Sequence, residues 1–523
     1  MSTPKSIARH IVQTFKDRVS LTIVYTMLCV STSLSQNDGF FHIYEYAENG
    51  YIPSCICETS DGHFLVAAWD DNHHDASVLF ELSENGEVLN KVSIGNSEVS
   101  AFIDGIFHDS IHNRQYYAIG SLRYWDEQCQ KPFVLHFDDH LHLNGWYEVE
   151  LPGTYTSFVA ERAIMTRDGD FLFATSLDAQ DGYHRLYMKI TKDGTLQRFF
   201  EATEDCRQSN MINAIFEFPV GERYGDYRSS SQSIGDIGVV MRLFDFDHDW
   251  VSDTLNEYPG IEQQVGNSNY FVGPSTYANG SAMLYGDSCL LLVDRASEAY
   301  AFGSSVHSDR STMLTTTDLE GNILRFTVLG SMNDTAVYPI PFNAIDIMKT
   351  DEELIYTGCF GTSNGSFPSE QRNHVTMCQL DSDFNIRWKK TIKHQSKYLM
   401  PSYLLASSDG GCIIVGATYH YGHYDWFALK INPEGSLNCN EVLVEDVRPY
   451  AFYPNPAHDQ LRLQYTPDVE PAQIELYDLQ GRLIRSQRQS LQSLDMSQLP
   501  SGTYTMRVVT KDGQTFSDKI VKE

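Results

Sequence analysis

From Phe40 to about Val447 the chain alternates short apolar runs with polar turns, and helical spacing of apolar positions is nearly absent. One pattern recurs: a polar turn with Asp-Gly, an apolar run ending in small residues, a variable loop, a second apolar run, and another Gly turn. Its clearest copies start at Ser60-Asp61-Gly62, Arg167-Asp168-Gly169 and Ser408-Asp409-Gly410. Their first runs end in Ala67-Ala68, Ala174 and Val415-Gly416, and their second turns close at Gly86, Gly194 and Gly435. Asp-Gly favours a hairpin turn because Gly accepts positive φ without steric cost. The runs between turns have strand length and are rich in Val, Ile, Phe and Tyr.

Weaker copies fit at Asn113–Gly120 with Phe133–Gly145, Asp236–Val240 with Met241–Asp249, Asp287–Leu292 with Met313–Gly321, and Asp351–Gly358 with Val375–Phe384. The second turns then fall near 86, 144, 194, 249, 321, 384 and 435. Seven units of about 50 to 70 residues each have room for four strands. A lone four-stranded sheet cannot bury both faces, whereas radially arranged sheets cover one another. The expected fold is therefore all-β, a seven-bladed β-propeller over 36–447, with a series of β-sandwiches as the alternative. The repeats resemble the Ser-Asp-Gly-Gly-type β-propeller repeats of secreted bacterial proteins. They are not good WD repeats, and His63-Phe64-Leu65 and Cys412-Ile413-Ile414 stand where a sialidase Asp-box would carry Thr-Trp.

The pattern changes at Pro449. Pro454 and Pro456 flank Asn455 and fix a turn that cannot pair through their nitrogens. Leu461-Arg462-Leu463-Gln464-Tyr465 alternates strictly, so one face is buried. Strands follow at Ile474–Leu479, after a turn at Gln480-Gly481, after Pro500-Ser501-Gly502 with Tyr504, Met506 and Val508 on one face, and from Phe516 to Val521. This predicts a small C-terminal β-sandwich of six or seven strands over 448–523. The tail resembles the type A C-terminal sorting domain of the type IX secretion system of Gram-negative bacteria. The resemblance rests on Pro454, Asn455 and Pro456; on Tyr477, Asp478, Gly481 and Arg482; on Leu499, Gly502 and Tyr504; and on the closing Lys519 to Lys522. It implies passage over the outer membrane by the type IX machinery and removal of the tail by a sortase-like protease. The cargo would be released or joined to surface lipopolysaccharide.

The N-terminus fits an exported chain. Lys5, Arg9, Lys16 and Arg18 precede an uncharged run from Val19 to Leu34, and Ser33-Leu34-Ser35 offers small residues before Gln36. Residues 1–35 therefore read as a signal peptide, and the run is too short and hydroxyl-rich for a comfortable membrane span. No later stretch reads as transmembrane. Net charge is −31, nearly all of it in the middle, which excludes phosphate-backbone partners and so nucleic acid. Ten cysteines show neither a CxxC pair nor zinc spacing; they read as small buried side chains, with one or two disulfides allowed after export.

Catalytic signatures are absent: no HExxH, no P-loop, no GxGxxG opening a helix. Gly303-Ser304-Ser305-Val306-His307 has His where a nucleophile elbow needs Gly, and lies in an all-β stretch. Asp245, Asp247 and Asp249 alternate as calcium ligands could, but Trp250 and Asn256 stand where such a loop needs Gly and an acid. Asp70, His73 and His74 in the first unit and His420, His423 and Asp425 in the last are weak metal candidates that a closed ring would bring near each other. No cofactor is expected; zinc, copper and calcium are the ions such loops could hold, and calcium is the one kept as an option. Aromatic-rich loops at Tyr124-Trp125, Trp146-Tyr147, Tyr224 with Tyr227, and Tyr419 to Trp426 offer stacking platforms for sugars or peptides, or packing between blades. The leading expectation is a non-enzymatic binding module for a glycan, peptide or host protein. The alternatives are a polysaccharide hydrolase or lyase acting in the propeller channel and a structural surface component.

Overall fold

The computed structural model describes residues 39–522 apart from short segments, the longest of which span 204–211, 255–260, 273–280, 298–309 and 364–374. The expected signal peptide lies outside the described residues, as do the Gly303–His307 segment and most of 245–249. All regular structure among the described residues is β-strand.

The strands follow one another as antiparallel meanders. Tyr51–Glu58, Phe64–Asp70, Ala76–Leu82 and Val88–Gly95 pair in sequence order. The same meander recurs over 99–148, 158–203, 212–254, 281–331 and 337–394, which makes 281–331 the fifth sheet and 337–394 the sixth, and two short strands, Ile261–Val265 and Ser268–Val272, join the fifth. The final group, 398–431, has three strands of its own. Its fourth is Phe41–Tyr44, which pairs with His423–Ile431 from the other end of the chain.

The apolar runs are strands covered on both faces. In Phe64–Asp70, Leu65 and Ala67 enter a core shared with the second group, while Phe64, Val66 and Ala68 enter one shared with the last. The alternation of side chains across a strand makes such a run continuously apolar. Phe171 with Phe173, against Leu172 with Ala174, divide in the same way, as do Cys412 with Ile414 against Ile413 with Val415. Each group shares a core with the next, through Ile215 and Tyr224 with Leu172, Phe216 with Leu290, and Leu291 with Ile355. Tyr356 then packs with Leu399, and Trp426 with Phe64 and Phe80 returns the sequence to its start. This cyclic succession of sheets is propeller-like. The small residues that end the runs allow close approach: a Cβ on Gly416 would lie 2.3 Å from the Met400 carbonyl oxygen.

The second turns of the three clear copies and of two weaker ones share one geometry. In each turn the first side chain accepts the N–H four residues on: Ser83 from Glu87, Asp138 from His142, Thr191 from Thr195, Asp381 from Asn385 and Asn432 from Ser436, at 2.8–3.0 Å. Its fourth residue has positive φ, and this is Gly86, Gly194 and Gly435 but also Leu141 and Phe384. The turn read near 144 is thus at 138–142, and Gly145 lies inside the strand Leu143–Glu148. Val442–Asp446 pairs with Ile386–His394 in the sixth sheet. It does not complete the last sheet, where Phe41–Tyr44 already occupies the outer position.

The tail forms two further sheets. One joins Tyr450–Tyr453, Gln460–Tyr465 and Ser493–Asp495; the other has the order Leu483–Gln487, Pro471–Tyr477, Gly502–Thr510, Thr515–Lys522. They share one core, with Leu461, Leu463 and Leu494 from the first sheet and Ile474, Leu476, Met506, Val508 and Ile520 from the second.

Candidate functional site

The tail motifs sort into those that build its fold and those that remain on its surface. Asp478 follows the strand Pro471–Tyr477 and opens the same turn that closes the repeats. Its Oδ1 accepts the Arg482 N–H at 2.9 Å and its Oδ2 accepts Arg482 Nε at 2.7 Å. Gly481 has φ 75°, and an added Cβ would meet nothing within 4 Å, so glycine is required by backbone conformation and not by crowding. Arg482 is exposed and Asp478 mostly covered. Leu499 packs on the tail core, and the buried Tyr504 donates its hydroxyl to the Pro500 carbonyl at 2.8 Å. Gly502 is exposed and stands opposite Lys522.

The opening and closing motifs meet. Ala457, fully buried, donates its N–H to the Val521 carbonyl at 2.7 Å and forms a parallel bridge with Lys522. Pro456 before it is exposed; Pro454 and Asn455 lie outside the described residues. Tyr477 and Lys519 take no part in the tail core. Tyr477 donates its hydroxyl to Glu475 at 2.6 Å, and Lys519 is exposed opposite Thr505.

The candidate cation residues are described in part. Asp70 is buried at the end of its strand, opposite Tyr51. His420 and His423 are the last register pair of one hairpin. The Asp425 carboxylate lies 3.3 Å from Lys397 Nζ, which also pairs with Glu45. His73 and His74 lie outside the described residues. Among the described residues no group of three His, Cys, Asp or Glu side chains is arranged to hold a metal ion. The aromatics offered as platforms pack instead where they are described: Trp426 is fully buried and stacks on Tyr44 at 4.0 Å, Tyr224 is fully buried, and Trp146 stacks on Phe133 at 4.8 Å.

Sequence reasoning missed a polar position that recurs two residues before the second turn. Lys189 and Lys430, both almost fully buried, pair with the turn carboxylates Asp168 and Asp409 at 2.5 and 2.6 Å. Burial alone would raise both carboxyl pKa values, but the lysine, together with the hydroxyl and backbone N–H donors of the turn, outweighs it and holds them below the ordinary carboxylate range. In the first group buried Glu81 takes the lysine position, and its carboxylate lies 2.9 Å from His63, two residues beyond the turn Asp61. The signal was available in the repeat itself, in the matching of Phe80-Glu81-Leu82, Met188-Lys189-Ile190 and Leu429-Lys430-Ile431. Further acids link successive sheets. Glu217 accepts the Arg167 N–H at 2.7 Å, and buried Asp109 pairs with Lys192 at 3.0 Å.

Residues 451–523 match a family model described as a secretion system C-terminal sorting domain. The tail is a type IX sorting domain. Such a tail indicates secretion across the outer membrane to the cell surface or extracellular space. No curated relative matches the chain. Among solved structures, the chain is similar to the β-propeller domain of the Trilobed protease from Pyrococcus furiosus, at 9% identity over 76% of this chain and 100% of that one, TM-score 0.38. It is similar to the polysaccharide lyase Uly1 at 9% identity over 77% and 94%, TM-score 0.39. It is also similar to Trypanosoma rangeli sialidase in complex with sialic acid, at 10% identity over 91% and 88%, TM-score 0.35.

Proposed function

We propose that the sorting tail delivers a seven-bladed propeller, residues 36–447, to the cell surface or medium, and that the propeller is a non-enzymatic binding module. In this reading residues 1–35 are the export signal, residues 448–523 are removed after transit, and the finished product is the propeller. Its partner is a glycan, a peptide or a protein of another cell. Seven meanders whose cores succeed one another in a cycle support the blade count.

One observation carries the binding reading. The carboxylates described along the turn edge are engaged in ties between strands and sheets: Asp168 and Asp409 with lysines, Asp109 with Lys192, Glu58 and Glu217 with backbone N–H groups. Such ties suit a rigid scaffold that displays loops. A glycosidase would instead need two carboxyl groups facing a common cleft. The test is the chain lacking residues 1–35, applied to glycan and protein arrays and, in parallel, to polysaccharide depolymerisation assays. Saturable binding without chain shortening is the expected result; product release, or silence on both arrays, would overturn the reading.

A further inference from the structure

The second tail sheet turns one face to the core and the other outward. In antiparallel register, directly opposed residues project to the same side of a sheet. Leu483 is opposed to Tyr477, Tyr477 to Thr505, and Thr505 to Lys519. These four residues therefore form one row across all four strands, with Tyr477 and Lys519 about 10 Å apart at two strand spacings. The opposite side of the same strands supplies Ile474, Leu476, Met506, Val508 and Ile520 to the core.

The row is built for contact. Leu483 is 52% exposed, although it is a large apolar residue on an edge strand. The hydrogen bond from Tyr477 to Glu475 ties the ring to its neighbour on the same face, and Glu475 is itself 3.7 Å from Arg507. Arg482, 75% exposed, stands beside Leu483. An aromatic ring, an apolar side chain and the Lys519 ammonium group thus share one row. Elsewhere in the tail motifs, Asp478, Gly481 and Arg482 make a turn, Leu499 and Tyr504 pack in the core, and Lys522 forms the bridge to Ala457.

We propose that the row Leu483, Tyr477, Thr505, Lys519 is the face by which the tail is recognised. Its partner is a folded protein of the secretion machinery that offers a carboxylate to Lys519 beside an apolar slot for Tyr477 and Leu483. This rests on the sorting assignment and adds where on the tail the contact is made. Buried aromatic anchors flanked by charge carry most of the energy of such interfaces, and charge complementarity sets their specificity.

The experiment uses the full chain expressed in a bacterium with type IX machinery, with the delivered and periplasmic fractions measured. Y477A/K519E should lower delivery at least about tenfold, the scale expected on losing an interface anchor, while the purified chain melts as wild type does. Y477F and K519R should retain delivery. T505W, which plugs the middle of the row and leaves the core untouched, should also lower it, whereas Q460E on the other sheet should not. Normal delivery of both Y477A/K519E and T505W would overturn the proposal. Failure of the sorting assignment is separately visible, because a chain lacking 449–523 would then be delivered normally.

Discussion

The Glu58 carboxylate accepts the backbone N–H of Ser408 at 2.7 Å, joining strands 350 positions apart in sequence. It also accepts the hydroxyls of Ser407 and Ser408 at 3.0 and 2.8 Å. This bond lies between the first and last sheets, which share the core around Trp426, Phe64 and Phe80. Glu217 repeats it one-for-one on the N–H of Arg167. The first and last sheets are therefore joined by the same device that joins neighbours within the ring.

Glu58→Ala should lower stability by about 1–3 kcal/mol, the range for charge-assisted hydrogen bonds that are partly exposed. Urea unfolding of the variant measures it. Loss below a few tenths of a kcal/mol would mean that the shared apolar core alone closes the ring.

The pair of Lys430 and Asp409 should respond asymmetrically. Lys430 is 6% exposed and Asp409 50%. Asp409→Ala strands a buried ammonium, whereas Lys430→Met leaves a carboxylate that water can reach. The aspartate variant should therefore be the less stable of the two in parallel thermal melts.

Acid should act through the same ties. Asp168 and Asp409 have carboxyl pKa values held below the ordinary range by Lys189 and Lys430. A depressed folded-state pKa contributes stability above the unfolded value near 3.9, and that contribution is lost as pH falls through the folded value. Stability should accordingly decline below about pH 4, and D168N/D409N should flatten that decline when unfolding is followed from pH 6 to pH 2.

Glycine at two turns should matter for different reasons. Gly481→Ala meets only the left-handed backbone penalty, about 1–2 kcal/mol, because its surroundings are open. Gly194→Ala has the same penalty and also places a Cβ 2.5 Å from Tyr147 Cβ, so it should cost more. Unfolding midpoints of the two variants order the effects.

Native thiols should be inert. Burial pushes the Cys57 and Cys412 thiols up to about 12, and Cys55 higher still. Since the thiolate is the reactive form, iodoacetamide at pH 8 should label these cysteines only after unfolding, as peptide mass mapping would show.

Much of this fold was legible because its turns are written in chemistry. Asp-Gly and the closing glycines mark positions where φ must be positive, and Gly62, Gly86, Gly169, Gly194, Gly410 and Gly435 all have it. The tail strands were legible from strict alternation, with Leu461, Leu463, Met506 and Val508 buried as read. Where the turn uses Leu141 or Phe384, a search for glycine sees either a displaced turn or none, because burial of the side chain at 2% and 4% offsets the backbone strain. Long-range pairing was also hidden. Nothing local in Phe41–Tyr44 shows that its partner begins at His423, and nothing in Val442–Asp446 shows that it joins the sixth sheet. The Lys430 and Asp409 tie was missed because a charged residue in an apolar run gives no sign of being buried until its partner in the turn is placed.

The most direct test of the account is delivery of a chain ending at Arg448, which lacks the sorting domain but keeps every strand of the repeats. In a bacterium with type IX machinery it should accumulate folded in the periplasm, with the melting behaviour of the repeat region preserved and none at the cell surface or in the medium. Delivery at the level of the full chain would contradict the account.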